Sequence, residues 1–355
     1  MVDYLIVGCG LAGMAMAETL RKRGRSLRVF DDASQRASRV AAGLYNPVVL
    51  KRLRLCWQGN ALMQESLPFY DALQQRLGIR VDTKIPVLRR LVSAEEQNAW
   101  FEAADRPGLD RYLSTKLLRN TNEALDAPYG YGEVLHTGKL HTANLLNAFI
   151  DDLHGSGQLM AEAFDPRALV PEGEGFRYGN LQARRVVFCE GFGLRGNPYF
   201  NYLPLQGTKG ELLVIRAPEL REERVIKAGI FIMPAGKDRY RIGATYTWND
   251  YSQEPTEAAR RELLDQLGRM LRCDYEVEGQ VAGIRPTVPD RRPLAGAHPV
   301  TPGLYVLNGM GSRGVLLAPY AASCLAAMME DGAALPPEMD IARYSGHFGK
   351  KPGQG

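Results

Sequence analysis

With 355 residues, 45% of them hydrophobic and 24% charged, the chain has the makeup of an ordinary globular protein, long enough for two packed units, and disorder is not indicated. The 44 Lys and Arg against 40 Asp and Glu leave a formal charge of +4, which permits contact with phosphates or acids without demanding it. Cys9, Cys56, Cys189, Cys273 and Cys324 form no C-x-x-C pair and have no His at ligand spacing, which argues against a zinc site or a disulfide framework and for a reducing compartment.

The chain opens on an apolar strand, Asp3 to Val7, without the pattern of a secretory signal, so a cytoplasmic location is expected. Gly8-Cys9-Gly10-Leu11-Ala12-Gly13 follows, and Met14 to Arg23 reads as a helix. In a strand, tight turn and helix of this kind, Gly8 permits the bend, Gly10 lets backbone approach a pyrophosphate and Gly13 lets helix and strand pack closely. Leu27 to Phe30 is a second alternating strand that ends in Asp31, where a ribose hydroxyl would be bound; Asp32 is adjacent, and strand alternation favours Asp31. The pattern predicts dinucleotide binding. Arg39, Ala41, Ala42, Gly43 and Leu44 then fall in a small-residue stretch ending in Asn46-Pro47, backbone that can press against a flat ring and that favours FAD over NAD.

Helices are predicted over Gln58 to Arg80, over Ala94 to Asp105 with Ser93 as N-cap, and over Thr142 to Leu153. Val186 to Cys189 reads as a buried strand closing at Glu190-Gly191. Glu211 to Ile215, Gly229 to Pro234 and Tyr240 to Thr245 are antiparallel strand candidates, with an amphipathic helix from Glu257 to Arg272. Leu304 to Leu307 leads into a glycine-rich turn, Asn308 to Gly314, and a helix from Val315; its free amides would favour negative charge on a reduced ring. The apolar stretch Gly314 to Met329 is interrupted by Pro319, Tyr320 and Ser323 and reads as a core helix, so no membrane contact is expected.

Taken together, the blocks Val7 to Gly13, Val40 to Leu44, Leu205-Gln206-Gly207-Thr208-Lys209-Gly210-Glu211, Gly283-Ile284-Arg285-Pro286, Arg292 to Gly296 and Gly309 to Pro319 resemble the D-amino-acid oxidase and glycine oxidase superfamily of flavoproteins. The turn Gly311-Ser312-Arg313-Gly314 resembles the oxidase domain of the bifunctional tRNA 5-methylaminomethyl-2-thiouridine enzyme. The resemblance implies an α/β fold: a Rossmann-type FAD-binding domain of the glutathione-reductase-like, D-amino-acid-oxidase type with a sheet-rich α+β substrate domain. Residues 1–57, 136–198 and 281–345 are expected in the first, 58–135 and 199–280 in the second, and 346–355 as a tail.

The implied chemistry is hydride transfer from a carbon bearing nitrogen to flavin N5. Arg285 matches a residue that binds a substrate carboxylate and Lys51 falls where related sarcosine oxidases place basic residues beside the flavin, while Tyr246 or Trp248 is a candidate wall of the site. Gly191, Gly309, Gly311, Ser312, Arg313, Gly314 and Val315 join the first turn and Ala41 to Leu44 as expected cofactor contacts. The Cys and His positions used for covalent flavin are not matched, which implies non-covalent FAD; the scattered Cys and His leave no metal site expected. Met310 and Ser312 stand where glycine oxidases carry His and Arg, so glycine itself is not the expected substrate. The expected partner is a small amine or amino-acid-like molecule. Rival readings are a 2-hydroxy-acid dehydrogenase, amine oxidation on a tRNA nucleoside, disfavoured by the modest charge, and a non-catalytic flavin-binding subunit. Electron acceptor and oligomeric state stay open.

Overall fold

The computed structural model describes residues 1–349. Val2–Val7 lies inside an eight-stranded sheet with Tyr4, Leu5 and Ile6 fully buried, as an unbroken apolar run must be when both faces are covered. Leu27–Phe30 and Leu181–Phe188 flank it, both parallel, with Tyr4 in register with Leu27 and Arg185. Leu304–Asn308 pairs in parallel beyond Leu181–Phe188, and Leu159–Met160 beyond Leu27–Phe30. Helices Leu11–Lys22, Thr142–Gly155 and Gly314–Asp331 bury Leu20, Phe149 and Leu325 in one core against this sheet. Phe188, Phe200 and Ile341 belong to a second core built on it.

The segment 58–135, expected as a whole in the substrate domain, divides. Helix Gly59–Arg76 buries Leu62, Ser66, Tyr70 and Leu73, a stripe on one helical face, and its apolar members join the core of Leu11–Lys22. The Ser66 hydroxyl donates to the Leu316 carbonyl at 2.7 Å and the Tyr70 hydroxyl to the Val315 carbonyl at 2.8 Å. Pro319 has no N–H to offer the carbonyl four residues before it, so Tyr70 supplies the donor that Val315 lacks. Asp82–Lys84 likewise pairs with Gly138–Leu140, which pairs with Leu44–Tyr45.

The rest of 58–135 contributes Val87–Arg90, Leu113–Leu118 and Tyr131–Val134 to a nine-stranded sheet. Val225–Lys227 joins Val87–Arg90 in parallel; Phe231–Gly236, Arg239–Gly243, Gln206–Arg216 and Glu276–Thr287 follow in antiparallel order. Glu276–Thr287 runs unbroken across position 281, because its pairing with Gln206–Arg216 continues to Thr287; a boundary at 281 would cut the strand. Leu213, Ile215, Ile232 and Ile242 pack with Leu263 and Leu267 of helix Glu257–Gly268 on one face. That helix stops at Gly268, short of the expected Arg272. Leu212, Val225, Phe231 and Met233 point to the opposite face.

Of the expected tail, Phe348 packs edge-on at 5.2 Å from Tyr202 and 5.4 Å from His298, whereas residues 350–355 lie outside the described residues. Among the described residues no helix is long and apolar enough to cross a membrane.

Candidate active site

A cavity opens where the ends of Val2–Val7, Leu27–Phe30 and Leu181–Phe188 meet the face of the second sheet that carries Leu212 and Phe231. Its first wall is the turn after Val7. Gly8 has φ +93°, and a Cβ there would sit 2.6 Å from the Cys189 carbonyl oxygen; a Cβ on Gly13 would sit 1.8 Å from the Gly8 oxygen. Only glycines allow this turn to close. Helix Leu11–Lys22 then starts at Gly10 with no side-chain cap and no acid in its first turn. Helices Ala94–Ala104 and Glu257–Gly268, away from the cavity, are capped by Ser93 and Thr256. Leu11 N–H donates to Ser38 Oγ at 3.1 Å, and the start of the helix faces the cavity. Asp31 accepts the Cys9 N–H at 3.1 Å, and burial pushes its carboxyl above the ordinary value. Phe164, 5.0 Å from Phe30 between ring centroids, lines the same part.

The second wall is the turn after Leu304–Asn308. Buried Asn308 donates to the Gly191 carbonyl at 2.9 Å and accepts the Gly309 N–H at 2.7 Å, tying together the ends of two adjacent parallel strands. Helix Gly314–Asp331 also begins without a side-chain cap. Arg313 donates to the Asn46 carbonyl at 3.0 Å, and Arg241 to the Ala41 carbonyl at 3.2 Å, which fixes the small-residue segment between them. Glu190, held by Asn197 Nδ2 at 2.7 Å, lines the cavity with its carboxyl pushed up to about 7 by burial.

The third wall is the face of the sheet. Arg285 crosses Gly210, where any Cβ would collide with the guanidinium at 2.0 Å. Arg285 Nη1 donates to the Thr245 carbonyl at 3.2 Å, and the guanidinium lies 4.4 Å from the centroid of the Tyr246 ring. Among the described residues it has no carboxylate partner, and burial lowers its pKa. The segment bearing Tyr246 is anchored by Lys209, fully buried, through Asp250 at 2.7 Å and Ser252 at 2.8 Å.

One cavity thus gathers Gly8, Gly10, Leu11, Ala12, Asp31, Asp32, Ala41, Ala42, Gly43, Leu44, Gly191, Tyr246, Arg285, Gly311, Ser312, Arg313, Gly314 and Val315. Four expected contacts stand elsewhere. Gly13 packs beneath the first turn, and Gly309, at φ +74°, packs against Val288 and Leu294. Arg39 turns to Asn147, and Lys51 is exposed in the turn between the paired strands Val48–Val49 and Arg54–Leu55, where its charge is solvated. Ser38, Phe164, Lys227, Phe231 and Asn308 line the cavity without having been singled out as contacts, and strand pairing over long sequence distances brings the last three there.

The model of the FAD dependent oxidoreductase (DAO) family matches residues 3–328. The chain belongs to that family. DAO relatives include the tRNA 5-methylaminomethyl-2-thiouridine biosynthesis bifunctional protein MnmC of Nitrosospira multiformis, 27% identical over 91% of this chain and 56% of the relative. This chain therefore spans little more than half the length of that protein. Glycine oxidase of Geobacillus kaustophilus is 26% identical over 92% of this chain and 93% of its own. Its crystal structure superposes with a TM-score of 0.76 at 22% identity over 97% and 98% of the two chains. Iminodiacetate oxidase from Chelativorans sp. BNC1 gives 0.76 at 18% identity over 97% and 98%. These likenesses establish a DAO fold, and the family match makes the chain an FAD-dependent oxidoreductase.

The residues present fit FAD. An uncapped helix start beside Gly10 offers amides to a pyrophosphate, Asp31 stands at the end of the next strand, and a second uncapped helix start with the Ala41–Leu44 backbone offers a flat, donor-lined surface.

Proposed function

We propose that this DAO-family enzyme oxidises the carbon–nitrogen bond of a small amine that carries a carboxylate, with FAD held non-covalently by Gly8, Gly10, Leu11, Ala12 and Asp31 on one side and by Ala41 to Leu44 and Gly311 to Val315 on the other. The observation that carries this reading is the state of Arg285: a half-buried guanidinium on the cavity wall, fixed by one carbonyl and one ring, with no carboxylate partner among the described residues. A planar two-pronged donor of this kind matches a carboxylate.

The remaining roles follow from position. Arg285 anchors the substrate acid, Tyr246 closes the outer side, and the Lys209–Asp250 pair holds the Tyr246 segment so that the amine keeps one orientation. FAD, when bound, supplies the acceptor for the electron pair of the substrate carbon–hydrogen bond. The uncapped helix start at Gly314 carries partial positive charge and would stabilise negative charge gained by the flavin. A neutral amine needs no strong protein base for this step, and Leu212, Phe231 and Tyr246 give the pocket an apolar lining.

Anaerobic bleaching of the flavin absorbance across amino acids, N-alkyl amino acids and hydroxy acids tests the reading. Arg285→Ala is expected to cost about 2–5 kcal/mol of transition-state stabilisation, roughly 30-fold to several thousand-fold in the second-order rate of reduction, with flavin content unchanged. A wild-type rate in that variant would refute the carboxylate role. A second reading, an amine on a tRNA nucleoside, draws on the similarity to the Nitrosospira protein; salt-dependent RNA binding by the holoenzyme would support it.

A further inference from the structure

Lys227 is the last residue of the strand Val225–Lys227, lines the cavity, and has neither a hydrogen bond nor a carboxylate within salt-bridge reach among the described residues. Its surroundings do not answer its charge. The neighbouring cation, Arg89, is already paired with Glu96 at 3.0 Å. The carboxylates that line the cavity, Asp31, Asp32, Glu162 and Glu190, all come from the strand ends and loops of the first sheet. Burial, with Arg89 alongside, pushes the ammonium down to about 8. An ammonium half-withdrawn from water and without a partner among the described residues is disfavoured, and an anion supplied by a ligand offsets that cost.

The register gives the direction. Lys227 pairs with Phe231, Phe231 with Gly243 and Gly243 with Leu212, so these four form one row across the cavity face. Gly210, the platform of Arg285, lies two residues along the same strand from Leu212 and on the same face. Three strand spacings and two residues put the Lys227 backbone about 16 Å from Gly210. Lys227 Nζ lies 5.8 Å from the ring centroid of Phe231 on the next strand towards Gly210, and from that strand two spacings and two residues leave a gap of about 12 Å to the Arg285 guanidinium over Gly210. A short molecule with an acid at each end, each hydrogen-bonded, spans such a gap.

We propose that Lys227 is a second anion-binding group of the substrate pocket, so that the preferred substrate carries two acidic groups, one met by Arg285 and the other by Lys227. This rests on the reading of Arg285 as a carboxylate anchor. For an amine substrate the class is a diacid amine, such as an amine flanked by two carboxymethyl groups or an acidic amino acid, with the oxidised carbon between the anchors.

The test uses the holoenzyme and does not depend on turnover. Glutarate and butyrate, neither oxidisable, are titrated against the flavin absorbance spectrum. Wild type is expected to bind glutarate at least about 10-fold more tightly than butyrate, and Lys227→Met to lose about 10- to 100-fold in glutarate affinity while butyrate affinity and flavin content stay put. Lys227→Arg should keep most of the preference, which a merely structural role would not produce. Equal binding of the two acids by wild type, or an equal loss of both in Lys227→Met, would overturn the proposal. If iminodiacetate and the monoacid amines all fail to bleach the flavin while glutarate binding still depends on Lys227, the two-anion pocket stands and the amine reading falls.

Discussion

The bond between Tyr70 and Val315 gives the sharpest stability prediction. Tyr70 is 2% exposed and its hydroxyl is the donor at 2.8 Å to a carbonyl that Pro319 cannot serve. Tyr70→Phe leaves that carbonyl buried and without its donor, at a cost of about 1–3 kcal/mol. With roughly 2.1 cal/mol/K of unfolding entropy per residue, a chain of this length loses about 1–4 °C in Tm for such a cost. Pro319→Ala restores an N–H to the helix. In that background Tyr70→Phe should cost at least about 1 kcal/mol less, because Val315 then has its helical donor. Urea or thermal denaturation of the four proteins in the cycle measures this. Equal costs of Tyr70→Phe with and without Pro319 would refute the argument. Val315 and Leu316 line the cavity, so FAD should also be released from Tyr70→Phe at a lower temperature than from wild type.

Gly13→Ala should abolish FAD retention, since its Cβ would meet backbone oxygen at 1.8 Å, and Gly10→Val should do the same by filling the approach beside Ser38; Cys9→Ala should keep FAD, as measured by absorbance after gel filtration. Glu190 is held neutral by burial up to about 7 against an ordinary 4.5, so its contribution to stability is full below 4.5 and is lost as pH rises through 7, at most about 3 kcal/mol. Glu190→Gln should flatten the fall in Tm between pH 5 and pH 8, and an unchanged slope would count against this assignment. Arg285→Lys should recover little of the activity lost in Arg285→Ala, because a point charge cannot replace the two-pronged donor; steady-state kcat/KM across the pair decides it.

The nucleotide turn was legible from sequence because its chemistry is local: Gly8, Gly10, Gly13 and Asp31 act within one strand, turn, helix and strand. Arg285 stood out through the resemblance of its block. Lys227, Phe231 and Asn308 did not, because what brings them to the cavity is pairing between strands far apart in the chain, and no short-range pattern specifies that. Helix Gly59–Arg76 shows the same limit. Its apolar stripe is plain in the sequence, but a stripe does not say which surface it will meet, and it meets the helix with Pro319. Lys51 failed for a different reason: a charge in a short hairpin turn has water as its cheapest partner.

Leu304–Asn308 pairs directly with Leu181–Phe188, so a strand from late in the chain borders one from its middle, and Asn308 pins their ends together. Until a ribosome has released that stretch and the helix behind it, the first turn has no opposite wall and Gly59–Arg76 has no partner for Ser66 and Tyr70. Flavin capture therefore follows synthesis instead of accompanying it. Every newly made molecule passes through a cofactor-free interval, and the supply of flavin sets how long the finished cavity waits to be filled.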